Sequence, residues 1–183
     1  AMQSAMGHRV TVLTSDHGET HQPREETRAG YTLRRYRQTG EPFGNSITPG
    51  LVTDLRRMFD QFDIVHAHSH LYFSTNAAAA IARRKETPFV VTNHGLLSQS
   101  APKWLQSAFL HTVSRFTFDS ANRVFCYTTT DRDRLRQLGV SAPIAVVANG
   151  IDTEMFTPAA ATSRRRRLLY VGRLKRAKGV GRV

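Results

Sequence analysis

Short apolar runs, alternating or continuous, give way repeatedly along this chain to stretches with helical spacing. In "HRVTVLTS" (8–15), Val10, Val12 and Thr14 fall at alternate positions, the period-two pattern of a strand. "YTLRRYR" is a second β-like segment whose arginines suggest a sheet edge, and "DHGETHQPREETRAG" between them reads as a loop. After Pro49 and Gly50, the residues Leu51, Leu55, Met58, Phe59 and Phe62 recur with helical spacing before the chain enters the apolar run of "DIVHAH". "STNAAAAIARRKE" predicts a helix that starts near a Ser/Thr cap and ends in basic residues suited to the carbonyl end of the helix dipole. Pro88 stops it and introduces the β-branched run "PFVVTNHG".

The same alternation continues downstream. "WLQSAFLHTVSRFTFDSANR" predicts a helix with Leu105, Phe109, Val113 and Phe116 on its core face. "VFCYTT" is the next strand, "TDRDRLRQLG" a helix with acidic residues in its first turn and Gly139 just past its end, and "PIAVVANG" the strand that follows. Strands alternating with helices predict an α/β fold, a Rossmann-like parallel sheet with helices on both faces.

Composition narrows the choice of partner. The chain has 183 residues, 40% of them hydrophobic, enough for a packed core, and a formal charge of +12. That charge is carried mostly by arginine, because lysine occurs only at Lys85, Lys103, Lys175 and Lys178. It suggests an anionic partner: nucleic acid, acidic lipid headgroups or a phosphorylated small molecule. Nucleic acid is disfavoured, since the basic residues are dispersed and neither zinc-finger spacing nor an aromatic RNA-binding signature occurs. The run "SRRRR" (163–167) reads as part of a flexible linker. The apolar runs are too short to span a bilayer, and the lone Cys126 sits in an apolar run, the pattern of a buried, reduced thiol. The expectation is a cytoplasmic protein, with the membrane's cytoplasmic face as a candidate peripheral contact.

Candidate chemistry concentrates where strands stop, since ligands of an open parallel sheet bind beyond the carboxyl ends of its strands. "VHAHSH" places His66, His68 and His70 at alternate positions, where an extended chain would turn all three to one face and could direct them at a zinc ion. No later segment supplies the His and Asp residues to complete a catalytic zinc site from an HxH pair. His66 is expected to face the interior. His68 or His70 could line one crevice with Asn93, His94 and Gly95 of "VTNHG".

Read in order, "GHRVTVLTS", "FDIVHAHSH", "VVTNHG", "ANRVFCYTTTDRDRLRQLG", "VVANGIDTEMFTP" and "LLYVGRLKRAKGV" resemble the successive landmarks of family-4 glycosyltransferases of the GT-B fold. The pairing of "NGID…F.P" with a nearby "YVGRL…KG" is the specific combination. The resemblance implies transfer of a sugar from a nucleotide-sugar donor to an acceptor, with retention at the anomeric carbon and no metal or other cofactor, between two Rossmann-like domains. It assigns Arg173 and Lys178 to the donor's diphosphate, where two cations offset charge building on the departing nucleotide. It places His94 in the cleft near the transferred sugar, with His68, His70, Asn93 and Gly95 on the acceptor side and Asn149, Gly150 and Asp152 between the domains. The acceptor is not specified; lipid-linked, small-molecule and glycan acceptors all occur in the family.

Against the family pattern, the opening strand and glycine-rich loop are expected to be missing. Residues 1–157 then form an acceptor-side domain, 158–167 a basic linker, and 168–183 the first strand and turn of a donor-binding domain. Such a fragment is expected to lack activity alone. Two rival readings remain: a noncatalytic nucleotide- or phosphate-binding module, and a histidine-dependent metallohydrolase.

Overall fold

The computed structural model describes residues 2–19, 21–97, 101–157 and Val171. The chain divides into two compact units, Ala1–Asn149 and Gly150–Val183. In the first, helix α1 (Met2–Ala5) precedes β1 (Thr11–Ser15), β2 (Glu25–Arg28) and β3 (Tyr31–Tyr36). Then α2 (Pro49–Met58), β4 (Val65–His68), α3 (Phe73–Ala82) and β5 (Phe89–Thr92) alternate. Helices α4 (Lys103–Phe109) and α5 (Arg115–Asp119) flank a π-helical turn, and β6 (Arg123–Cys126), α6 (Thr129–Gln137) and β7 (Ile144–Val146) complete the unit.

The strands form two sheets. One is four-stranded and wholly parallel, in the order β4-β5-β6-β7, the α/β Rossmann-like arrangement expected from the alternation. The other has the order β1-β3-β2, with β1 parallel and β2 antiparallel to β3. Here two expectations are corrected. The segment taken as a loop contains β2, and β3 is the central strand of its sheet. The arginines of β3 face partners across the ladder instead of solvent at an edge. Glu25 stands opposite Arg34, its Oε2 2.9 Å from Arg34 Nε, an ion pair without hydrogen-bond direction. Arg35 Nη2 lies 2.5 Å from Glu26 Oε1. Ala29 and Gly30 join the two strands with φ of 48° and 81°, the doubly positive pair of a tight hairpin turn.

Register sorts the parallel sheet into two faces, because paired residues of parallel strands point the same way. Val65, Ala67, Phe89, Val91, Val124 and Cys126 share one face and belong to a single hydrophobic cluster. Helix α2 adds Leu51 and Leu55, α3 adds Ala78, Ala79 and Ala82, α5 adds Phe118, and α6 adds Leu135. The alanines of α3 let the helix approach closely. The opposite face carries His66, His68, Val90, Thr92 and Phe125.

The helix after Pro102 departs from its predicted face. Leu105, Phe109 and Val113 are half-buried, but Phe116 is 40% exposed while Ser114, Thr117 and Phe118 are buried. The cause is the π-helical turn Leu110–Ser114, whose i→i+5 bonding inserts a residue and rotates everything after it. Cys126 is buried, as the apolar run indicated, and desolvation raises its thiol pKa. No helix among the described residues is long and apolar enough to cross a membrane.

Candidate active site

Because β4, β5 and β6 are adjacent and parallel, their carboxyl ends bring three chain exits together. His68 is the last residue of β4, Asn93-His94-Gly95 follows β5, and Tyr127 follows β6. His68 Nδ1 lies 3.0 Å from His94 Nε2, and His94 Nδ1 lies 2.9 Å from the Tyr127 hydroxyl. His66 stacks on His68 with ring centroids 4.5 Å apart, and its Nε2 is 2.7 Å from Thr92 Oγ1. The result is an exposed strip of imidazoles with a phenol at one end.

His66 corrects an expectation. It faces the histidine side of the sheet, because its neighbours Val65 and Ala67 point into the core. Its ring is wedged between His68 and Phe125 while the residue keeps an exposed edge. That desolvation, joined by the neighbouring His68 and His94, pushes its pKa down to about 4. Burial and then His94 lower the pKa of His68 as well. These two rings are neutral at neutral pH, so they offer one N–H donor and one acceptor nitrogen each.

His70 departs from its expected place on the acceptor wall. Ser69 has a φ of 65°, a left-handed conformation that breaks the period-two alternation and sends the next side chain inward. His70 is 0% exposed, with Nδ1 2.7 Å from Ser114 Oγ and Nε2 3.1 Å from the Gly95 carbonyl. The carbonyl can only accept, so Nε2 carries the proton and the serine hydroxyl donates to Nδ1. Burial pushes the His70 pKa down to about 4. The ring ties the loop carrying His94 to the π-helical turn.

Asn93 is likewise buried, and it shapes the loop instead of lining the cleft. Its Oδ1 accepts the Gly95 N–H at 3.2 Å, which leaves Nδ2 without a partner. Gly95 has a φ of +124°, a conformation side-chain-bearing residues rarely adopt. The exposed part of the expected cleft is therefore His68 and His94, with Gly95 half-buried beside them. Next to Gly95 lies an open apolar recess of about 420 Å³ lined by Gly95, Leu96, Leu97, Leu110 and Arg134.

The remaining expected residues lie elsewhere. Asn149 ends the first unit; Gly150 and Asp152 belong to the second, and all three are exposed. Asp152 Oδ1 caps its own turn, accepting the N–H groups of Glu154 and Met155 at 3.0 and 3.1 Å. Arg173 and Lys178 lie outside the described residues. Among the described residues no group of three or more His, Cys, Asp and Glu side chains could hold a metal ion. The stacked histidines direct their nitrogens at Thr92, at each other and at Tyr127 instead of at a common point.

Residues 2–155 match the family model described as Glycosyltransferase Family 4. The chain belongs to this family. It is 32% identical over 126 residues to the glycogen synthase of Mycobacterium tuberculosis, covering 64% of this chain and 30% of that protein. It is 24% identical over 156 residues to the GDP-mannose:cellobiosyl-diphosphopolyprenol alpha-mannosyltransferase of Xanthomonas oryzae pv. oryzae, covering 85% of this chain and 40% of that protein. The chain thus spans less than half the length of these relatives. For the glycosyltransferase chain, Tyr127 is the residue that sequence reasoning missed. The available signal was its i+2 spacing from Phe125, which puts both residues on the face of His66 and His68.

Proposed function

We propose that this chain is the acceptor-side part of a retaining glycosyltransferase that takes its sugar from a nucleotide-sugar donor. The observation that carries the reading is the joining of His68, His94 and Tyr127 at the carboxyl ends of adjacent parallel strands, in a chain of this family. The neutral His68 imidazole at such a crevice suits hydrogen bonding to sugar hydroxyls. His94 lies nearest the reacting sugar in this reading and acts as a positioning group, since its two ring nitrogens are engaged by His68 and Tyr127. Arg173 and Lys178 take the role of cations that offset charge on the leaving diphosphate, which makes a metal unnecessary. The recess beside Gly95 supports an acceptor with an apolar portion, and Arg134 at its wall suits an anionic group on the same molecule. A diphosphopolyprenol acceptor, the class in the name of the Xanthomonas relative, has both features and implies work at a membrane surface.

The test uses an enzyme that contains this chain together with a donor-binding domain, a panel of nucleoside-diphosphate sugars, and lipid-linked and soluble acceptors. The expected result is transfer to a lipid-linked acceptor in the presence of a chelator, with the anomeric configuration of the donor kept in the product. Inversion would remove the retaining mechanism, and transfer restricted to soluble glycans would remove the acceptor class. Tight donor binding without transfer to any acceptor would favour a noncatalytic nucleotide-binding module.

A further inference from the structure

The His94 ring has a partner at each nitrogen, so one nitrogen must donate and the other accept while the ring is neutral. Two polarities satisfy this. In one, Tyr127 donates to His94 Nδ1, His94 Nε2–H donates to His68 Nδ1, and His68 turns an Nε2–H group outward. In the other, every bond is reversed, and His68 turns a bare lone pair outward while the phenol proton points away. The two arrangements meet a substrate in opposite ways, one as a donor and the other as a base.

The phenol decides between them. A phenol gives up its proton more readily than a neutral imidazole N–H, and an imidazole nitrogen is a stronger acceptor than a phenol oxygen. The bond between Tyr127 and His94 is therefore strongest with the phenol donating, and the preference passes through His94 to His68. Nothing else described at His94 competes, since its two ring nitrogens meet only Tyr127 and His68. His66 stacks on His68 with ring centroids 4.5 Å apart, and its own Nε2 is engaged by Thr92 Oγ1.

We propose that Tyr127 is a positioning residue that fixes the tautomers of His94 and His68, so that the cluster presents His68 Nε2–H outward as a neutral donor to a substrate oxygen. The role in substrate binding rests on the glycosyltransferase reading above; the tautomers themselves do not. Under this assignment the cluster orients a sugar or phosphate oxygen and does not remove a proton from it.

The test is a long-range ¹H–¹⁵N spectrum of the histidine-labelled full chain at about pH 8, more than a unit above the ordinary histidine pKa. It covers the unaltered protein, Tyr127→Phe and His68→Gln. In the unaltered protein His94 and His68 should both be almost wholly Nε2–H. Tyr127→Phe should turn His94 into a mixture of tautomers, while His70, held as Nε2–H by the Gly95 carbonyl, stays unchanged and reports an intact fold. His68→Gln should leave His94 as Nε2–H, because the phenol is still present. An Nδ1–H form of His94 in the unaltered protein, no change in Tyr127→Phe, or a switched His94 in His68→Gln would each overturn the proposal. If Tyr127→Phe does not fold, the other two samples still decide. No substrate is needed, so finding these tautomers in a protein without sugar transfer would remove the proposed function alone.

Discussion

His68 and His70 stand two residues apart on one short stretch, yet one belongs to the exposed strip and the other to the interior. His68 is held at the end of β4 by its bond to His94 and by stacking with His66. His70 is fully buried and saturated by Ser114 and Gly95. One backbone angle, the positive φ of Ser69, separates them. The lesson is that a histidine-rich motif need not be a single functional unit. Its outer members provide hydrogen-bonding surface, and its inner member holds the loop on which the surface depends.

Breaking the inner half should have the largest effect on stability. His70→Ala leaves a cavity and strips partners from the Gly95 carbonyl and the Ser114 hydroxyl, and is expected to lower unfolding stability by about 3 kcal/mol, read by denaturant unfolding. The outer half should tolerate the same change. His68→Ala is expected to alter stability by about 0.5 kcal/mol or less, since its bonds are exposed. If both changes cost the same, the distinction between the two halves fails.

Acid sharpens the comparison. A histidine whose folded pKa lies below its unfolded value takes up protons more readily when unfolded. Stability is then fully present above the ordinary value of about 6.5 and falls as pH drops from there toward the folded value. With the folded pKa of His70 near 4, its share of the loss is about 3 kcal/mol at most by the bottom of that window. His66 works in the same direction, again with a folded pKa of about 4. Denaturant midpoints measured across this range should decline with acid, and His70→Gln should flatten the decline. An unchanged slope in that variant would mean that His70 is not the buried neutral base described above. Thr92→Val, which removes the hydroxyl partner of His66, is expected to cost about 1 kcal/mol by the same unfolding measurement.

Much of the fold was legible because the parallel sheet is built from apolar runs. Phe89–Thr92 is buried at every position, and Val65–His68, Arg123–Cys126 and Ile144–Val146 fall where apolar runs pointed. What was not legible had local physical causes. The strand Glu25–Arg28 has no apolar residue and exists through its charged pairing with β3, which only the folded partner reveals. The exchange of Phe116 for Phe118 on the core face depends on a π-helical turn that ideal helical spacing does not anticipate. In the candidate site, the meeting of His68 with His94 follows from parallel strand ends and was readable. The inward turn of His70 was not, because nothing in "HSH" requires Ser69 to adopt a positive φ. Tyr127 was overlooked because it joins the site across strands and not along the chain.

The most direct test of the division between outer and inner histidines is the turnover of His94→Ala in an enzyme carrying this chain and a donor-binding domain, measured beside its thermal unfolding. The account predicts that sugar transfer falls by about a hundredfold, the scale of losing one preorganised donor, here the His68 N–H that His94 holds in place, with the unfolding temperature unchanged. Unaltered transfer, or a loss of activity that follows a loss of stability, would contradict it.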